Sequence, residues 1–339
     1  MKFLYNLQGA YYLLLSYVDY LLVPKWIYHV LRRIEMSRLS KEESNEVEQR
    51  SNYYCQLSKI KQNNCERPFI QYTQGRGESP IRETSISKYQ FPYRSNHRFS
   101  FYFFDLYHIL KYFPKDKAFC FQFGDVWTVP PKPTLLKSRP ITSGNENAVL
   151  LKLNHHRHYR FVHDKTPFRD KLDMIVCRTT WANASPQRRL FFQKFLNHPF
   201  FDIGKTKSEP NEDFPESIKP YLSIQQQLRY KFIVCIEGND VATSLKWVMS
   251  SNSIAVSPPL KFETWFMEGL LVPDYHFICV KSDYSDLVEK VLYYISHEDE
   301  AESIIRHAHE WVARFRNKRL ERAVGIEVAD KYFQCLQRK

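Results

Sequence analysis

Three groups of residues have the types and spacing to do chemistry. The first is Asp125, which follows the apolar run Ala118–Phe123 and Gly124 and so places a carboxylate just past the end of a buried strand. Such a carboxylate either closes a turn or serves as a general base, which needs an acid group held at the edge of a site. The second group is a set of short polar stretches, each following an apolar run: Arg178-Thr179-Thr180, Glu237-Gly238-Asn239-Asp240, Pro258 to Glu263, and Lys281-Ser282-Asp283. The third is Asn154-His155-His156-Arg157-His158-Tyr159-Arg160 with His163 beyond. Its histidines suggest zinc, but no cysteine or second clustered carboxylate completes a tetrahedral set, so no metal is expected. Six Lys or Arg between Lys152 and Lys171, against Asp164 and Asp170, make a basic patch the better account.

These groups need strands and helices to hold them. From about residue 170, short apolar runs alternate with helical patterns: strands at Met174–Cys177, Phe232–Ile236, Ser253–Val256 and His276–Val280. Ser185-Pro186 reads as a cap and first turn, with Leu190, Phe191, Lys194 and Phe195 following at helical spacing. Asn239 or Asp240 is expected to cap a helix through Val241, Leu245 and Val248. A short helix is expected through Phe262, Trp265 and Phe266, and Asp283 is expected to cap another before Leu287. Alternating strands and helices predict βαβ units, a parallel sheet, and a ligand site outside the carboxyl ends of its strands. A long helix through Ile304–Phe315 and a basic one from Lys318 complete this half.

The N-terminal segment from Phe3 to Leu31 is rich in Leu, Tyr and Val, but Asp19, Pro24 and Lys25 interrupt it before ~20 clean apolar residues accumulate, so it does not read as a span. It reads either as a helix docked on the domain or as one lying in a membrane interface, and no signal-peptide cleavage pattern follows it. Residues 36–100 are polar and weakly periodic, and loops with short elements are expected there.

Nine glycines in 339 residues is well under the usual ~7%. They form neither G-x-G-x-x-G nor G-x-x-x-x-G-K-[ST], so any nucleotide is held by other means. The 49 Lys and Arg against 37 Asp and Glu give a net charge of +12, which favours an anionic partner: nucleic acid, an anionic membrane or a phosphorylated substrate. The basic residues do not form one extended tract and no nucleic-acid motif is present, so a nucleic-acid-binding protein is only the alternative. Seven cysteines without a C-x-x-C pair read as buried free thiols in a reducing compartment. Asn183-Ala184-Ser185, a nominal glycosylation sequon followed by Pro186, is expected to be inert.

Over residues 170–315, and more weakly back to about 118, the chain resembles glycosyltransferase family 90, most closely its bacterial lipopolysaccharide-modifying branch. The resemblance is carried by Arg178 with Ser185 and Arg188, Tyr230-Lys231-Phe232, the run Glu237–Thr243, Lys246, Glu263 with Trp265, His276, and Asp283-Tyr284-Ser285-Asp286-Leu287. It implies an α/β, GT-B-like fold with two Rossmann-like domains facing a cleft and helical N- and C-terminal extensions. Residues 1–35 would be the aromatic, membrane-peripheral helix, 36–165 the acceptor-side domain, 166–315 the nucleotide-sugar domain and 316–339 the basic C-terminal helix.

The implied reaction is an inverting, metal-independent transfer of a hexose, glucose or galactose, from a uridine diphosphate sugar to a lipopolysaccharide core. A family 90 enzyme acting on a capsule polysaccharide or a protein is the alternative within the family. Asp125 would be the base. Arg178, Arg188, Lys231, Gly238, Asn239, Asp240, Lys246 and Glu263 would bind the donor, with Glu263 on the ribose. His155, Arg157 and Arg160 would meet the acceptor, at the cytoplasmic face of the inner membrane. Two departures stand out: Thr179 follows Arg178 where many relatives have glycine, and Ser244 stands where many have an arginine.

Overall fold

Within the polar stretch 36–100, where loops and short elements are expected, residues 41–54 form a full helix, and the reason is local. Ser40 Oγ accepts from Glu43 N while the Glu43 carboxylate accepts from Ser40 N, a capping box that starts the helix Lys41–Tyr54. In the computed structural model, residues 2–24, 26–58, 78–90, 100–179, 185–206 and 214–337 are described. Cys65, Thr180, Asn183 and Ala184 lie outside them.

The chain divides into two units, Met1–Arg157 with Asn317–Lys339, and His158–Arg316. The first carries helices α1 (Lys2–Leu22), α2 (Trp26–Ser37), α3 (Lys41–Tyr54) and α4 (Ser100–Leu110). Strands β1 (Arg82–Ser85), β2 (Ala118–Phe121), β3 (Thr134–Leu136), β4 (Ser138–Pro140) and β5 (Ala148–Leu150) follow, then a single turn, α5 (His155–His158). A four-stranded sheet in the order β1-β2-β3-β5 is parallel except for β1 against β2. The C-terminal helix α11 (Lys318–Gln337) belongs to this unit. Its Tyr332 hydroxyl accepts from Cys120 N at 2.9 Å, and its Glu321 pairs at 2.6 Å with the buried Arg50 of α3. No described helix is long and apolar enough to cross a membrane.

The second unit comprises β6 (Leu172–Thr179), α6 (Pro186–Phe195), β7 (Phe201–Lys205), α7 (Ile224–Gln227), β8 (Tyr230–Val234), α8 (Ser244–Met249) and β9 (Ile254–Ser257). It continues with β10 (Phe262–Thr264), β11 (Ile278–Cys279), α9 (Leu287–Ser296) and α10 (Glu298–Ala313). Five strands form a wholly parallel sheet in the order β7-β6-β8-β9-β11. Ile175, Phe232, Ile254 and Ile278 from this sheet pack with Phe191 of α6 and Leu287 of α9 in one core. The continuous apolar runs of β6, β8 and β9 are what a sheet covered on both faces requires.

Three local expectations are corrected. The helix after Gly238 begins only at Ser244 with Thr243 at its cap, because Gly238 N bonds to Asp240 O and Leu245 N to Ala242 O, turns that use up the intervening residues. Phe262–Thr264 is strand, not helix, because Glu237 accepts from Lys261 N and Phe262 N and Glu268 accepts from Thr264 N. Asp286, not Asp283, stands at the start of α9, while Asp283 accepts from Ser285 N and Oγ.

Candidate functional site

The order β7-β6-β8-β9-β11 reverses direction at one place. From β6 the chain goes outward to β7 and returns to β8 on the other side of β6, so the carboxyl ends of β6 and β8 flank a topological switch point. In open α/β sheets that is where ligands bind, because the loops there part to opposite sides of the sheet.

The residues that gather at this point come from two loops. Ser185 caps α6, its Oγ accepting from Arg188 N, and the same hydroxyl donates to Glu237 O at 3.3 Å in the loop after β8. The Arg188 guanidinium lies along that loop, Nη2 donating to Ile236 O at 3.4 Å. It rests against Gly238 so closely that a Cβ built there would stand 2.8 Å from Nη2. Burial pulls the Arg188 pKa down. A partly buried guanidinium, brought against the loop backbone by the missing side chain of Gly238, can attract an anion more strongly than one in open water.

Glu237 is the site residue that sequence reasoning left without a role. Its carboxylate accepts from Lys261 N at 3.1 Å and from Phe262 N at 3.1 Å, joining the loop after β8 to the segment after β9. Burial raises its pKa to about 7, against the lowering effect of those two amides. The available signal was position, because Glu237 is the first charged residue after the apolar run of β8.

The other donor-side expectations separate. Asn239 and the buried Asp240 lie in the same loop as Gly238. Glu263 is buried on β10, one residue beyond the Glu237-held amides. Arg178 lies at the carboxyl end of β6, but its Nη2 is bidentate to Asp202 of β7 at 2.8 and 2.9 Å and its Nη1 donates to Asp202 O. Lys246 is wholly buried with its Nζ 2.5 Å from Glu268 Oε1, which also takes the Thr264 hydroxyl. Lys231 stands near the amino end of β8, 2.6 Å from both Asp173 and Glu298, and is not brought to the switch point. His276 is a core histidine whose Nδ1 accepts from Val272 N.

In the first unit Asp125 follows β2 through Gly124, whose φ of 95° is one that L side chains rarely adopt. Its carboxylate is partly exposed and meets Lys137 Nζ at 2.9 Å. The buried Glu78 fixes the next residues by accepting from Trp127 N at 2.7 Å and Thr128 N at 3.0 Å. His155 pairs with the buried Asp105 at 2.6 Å, His156 stacks on Tyr5 and Phe101, and Arg157 is exposed. Arg160, in the second unit, is half-buried.

The wholly parallel sheet, with Arg188 and Gly238 together at its switch point, defines an α/β protein of the kind that binds ligands at its strand ends. The chain belongs to glycosyl transferase family 90 and is a glycosyltransferase, with residues 192–322 matching the family. It is 41% identical over 244 residues to the O-glucosyltransferase LpsA of Dichelobacter nodosus, covering 70% of this chain and 74% of that protein. It is also 28% identical over 153 residues to the uncharacterized protein 179R of Invertebrate iridescent virus 6, covering 43% of this chain and 12% of the viral protein.

Proposed function

We propose that this chain transfers a hexose from a uridine diphosphate sugar to a hydroxyl of the lipopolysaccharide core, with inversion and without a metal, at the cytoplasmic face of the inner membrane. Glucose is favoured over galactose because the bacterial relative is an O-glucosyltransferase. A GT-B arrangement of two Rossmann-like domains is part of this reading. The observation that carries it is the Arg188 guanidinium held against Gly238 at the switch point of a parallel sheet.

The chemistry follows from those residues. Asp125 takes the proton from the acceptor hydroxyl as its oxygen attacks the anomeric carbon from the face opposite the nucleotide. The bond from that carbon to the diphosphate oxygen breaks through an oxocarbenium-like transition state. Negative charge then grows on the departing diphosphate, where Arg188 and the loop of Gly238, Asn239 and Asp240 stabilise it, with Glu263 on the ribose hydroxyls. The acceptor would be met by His155, Arg157 and Arg160. Arg178, Lys231 and Lys246, each engaged with carboxylates, act by holding the sheet and its loops.

Transfer from uridine diphosphate glucose and galactose to a lipopolysaccharide core, assayed with and without a metal chelator, tests this reading. Chelator-resistant transfer with inverted anomeric configuration is expected. Retention of configuration, or no transfer and no nucleotide release with any donor, overturns it.

A further inference from the structure

Helix α1 is amphipathic in the reverse of the usual sense. Three of its polar side chains turn inward: Tyr12 donates to Asp105 at 2.6 Å, Ser16 bonds to His108 at 2.9 Å, and Asp19 accepts from Tyr28 at 2.6 Å and Lys111 at 2.8 Å. Leu7, Tyr11, Leu14, Val18, Leu21 and Leu22 face outward, with Leu21 and Leu22 70% and 73% exposed. Past the break at Pro24 the apolar face continues on α2 with Trp26, Val30 and Ile34, Trp26 being 68% exposed. An exposed apolar face of this extent marks an interaction surface rather than scattered surface leucines.

We propose that this face lies in the interface of an anionic lipid bilayer, with α1 and α2 parallel to the membrane plane. Charge selects the occupant. Arg33 on α2 and Arg38 just past its end are exposed, and Lys115 lines a cavity of about 600 Å³ together with Leu21 and Trp26, so cations border the apolar band. Among the described residues of α1 and α2 the acids are engaged elsewhere, Asp19 with Lys111 and Glu35 with Arg322. Basic residues beside an apolar band, with Trp and Tyr on it, suit phosphate headgroups and the acyl boundary.

A second copy of the chain is the competing occupant, since Leu7, Tyr11, Leu14, Val18 and Leu21 follow a spacing of four and three. A coiled-coil seam is narrow and flanked by charges that set its register. Here the flanks are Gln8, Ala10, Leu15 and Leu22, so the apolar band is broad and uncharged. The inward hydrogen bonds also fix α1 against α4, so it would lie on the bilayer.

The inference deepens the membrane placement in the proposed function and rests on that part of it, not on the donor chemistry. The test is flotation of the full chain with vesicles of phosphatidylcholine alone and with phosphatidylglycerol added, beside sedimentation without lipid. The unaltered chain should float with the anionic vesicles and be released by high salt. Leu14→Ser with Leu21→Ser should weaken this at least about tenfold at an unchanged melting temperature, because both side chains are exposed. Arg33→Glu and Lys115→Glu should each weaken it roughly fivefold or more. Equal flotation of the chain and the leucine variant overturns the proposal. So does a chain that ignores vesicles but dimerises through a contact the leucine variant abolishes. Donor transfer to a detergent-solubilised acceptor should be unaffected in every variant, which keeps the outcome separate from the catalytic reading.

Discussion

Lys137, a lysine only 1% exposed, holds its Nζ 2.9 Å from Oδ1 of Asp125, whose side chain is 29% exposed. The pair sets one carboxylate oxygen against a fixed cation. If that carboxylate is the base, Asp125→Asn should keep the fold and the affinity for uridine diphosphate while lowering turnover by roughly two to four orders of magnitude. Donor binding by titration and transfer rate are the paired measurements. Near-normal turnover would remove Asp125 from the role.

Arg188 and Gly238 offer a coupled test. The atom that a Cβ at 238 would meet is the far end of a flexible side chain, so Gly238→Ala should fold and displace the guanidinium. Losing one charge-assisted contact to the diphosphate costs about 1.5–3 kcal/mol, or roughly 10- to 100-fold in uridine diphosphate affinity. Arg188→Ala should cost a similar amount, and the double variant little more than either, since both changes remove one interaction. Full additivity in titration calorimetry would show that the two residues act on the ligand separately.

Much of the second unit was legible because its signals are local. Ser185-Pro186 marked the start of α6, and the unbroken apolar runs marked β6, β8 and β9. The strand β7 escaped because Phe201–Lys205 is short and carries Asp202 and Gly204 within it. The helix α3 escaped because its capping box stands in a polar stretch, and buried Arg50 and Tyr54, not an apolar stripe, anchor it. In the second unit, strand-end position brought out the loop of Gly238, but the partners of Arg178 and Lys246 lie 24 and 22 residues away in sequence. Whether a basic side chain faces a ligand or a carboxylate is decided by tertiary pairing, which spacing does not carry.

That distinction is measurable at Lys246. Its ion pair with Glu268 is 0% and 1% exposed on its two sides. Removing one partner strands the other charge in the core, at about 3–5 kcal/mol. In a unit of this size that is roughly 10 °C in melting temperature. Lys246→Met should therefore melt early while its uridine diphosphate affinity, measured well below the transition, stays close to that of the unaltered chain. A selective loss of nucleotide affinity at full stability would return Lys246 to the donor site.

Glu237 gives the pH dependence. Burial lifts its pKa from 4.5 to about 7, so the folded protein holds a proton there that the unfolded chain has released. The sign follows: relative stability is highest below about 4.5, falls as pH rises toward 7, and levels off above it. Glu237→Gln lacks this titration, so the difference in melting temperature between the two proteins should shift in the variant's favour across that interval. The same ionisation puts a negative charge in the loop that carries Gly238, one residue before the backbone where the diphosphate is proposed to sit. By linkage, bound diphosphate favours the protonated carboxyl, and affinity for uridine diphosphate should fall as pH rises through 7. The nucleotide's own ionisation is common to both proteins, so the ratio of their affinities isolates Glu237. Parallel affinity curves for the two proteins would mean that the diphosphate does not lie beside this carboxyl, and the switch-point assignment of the donor would fall with it.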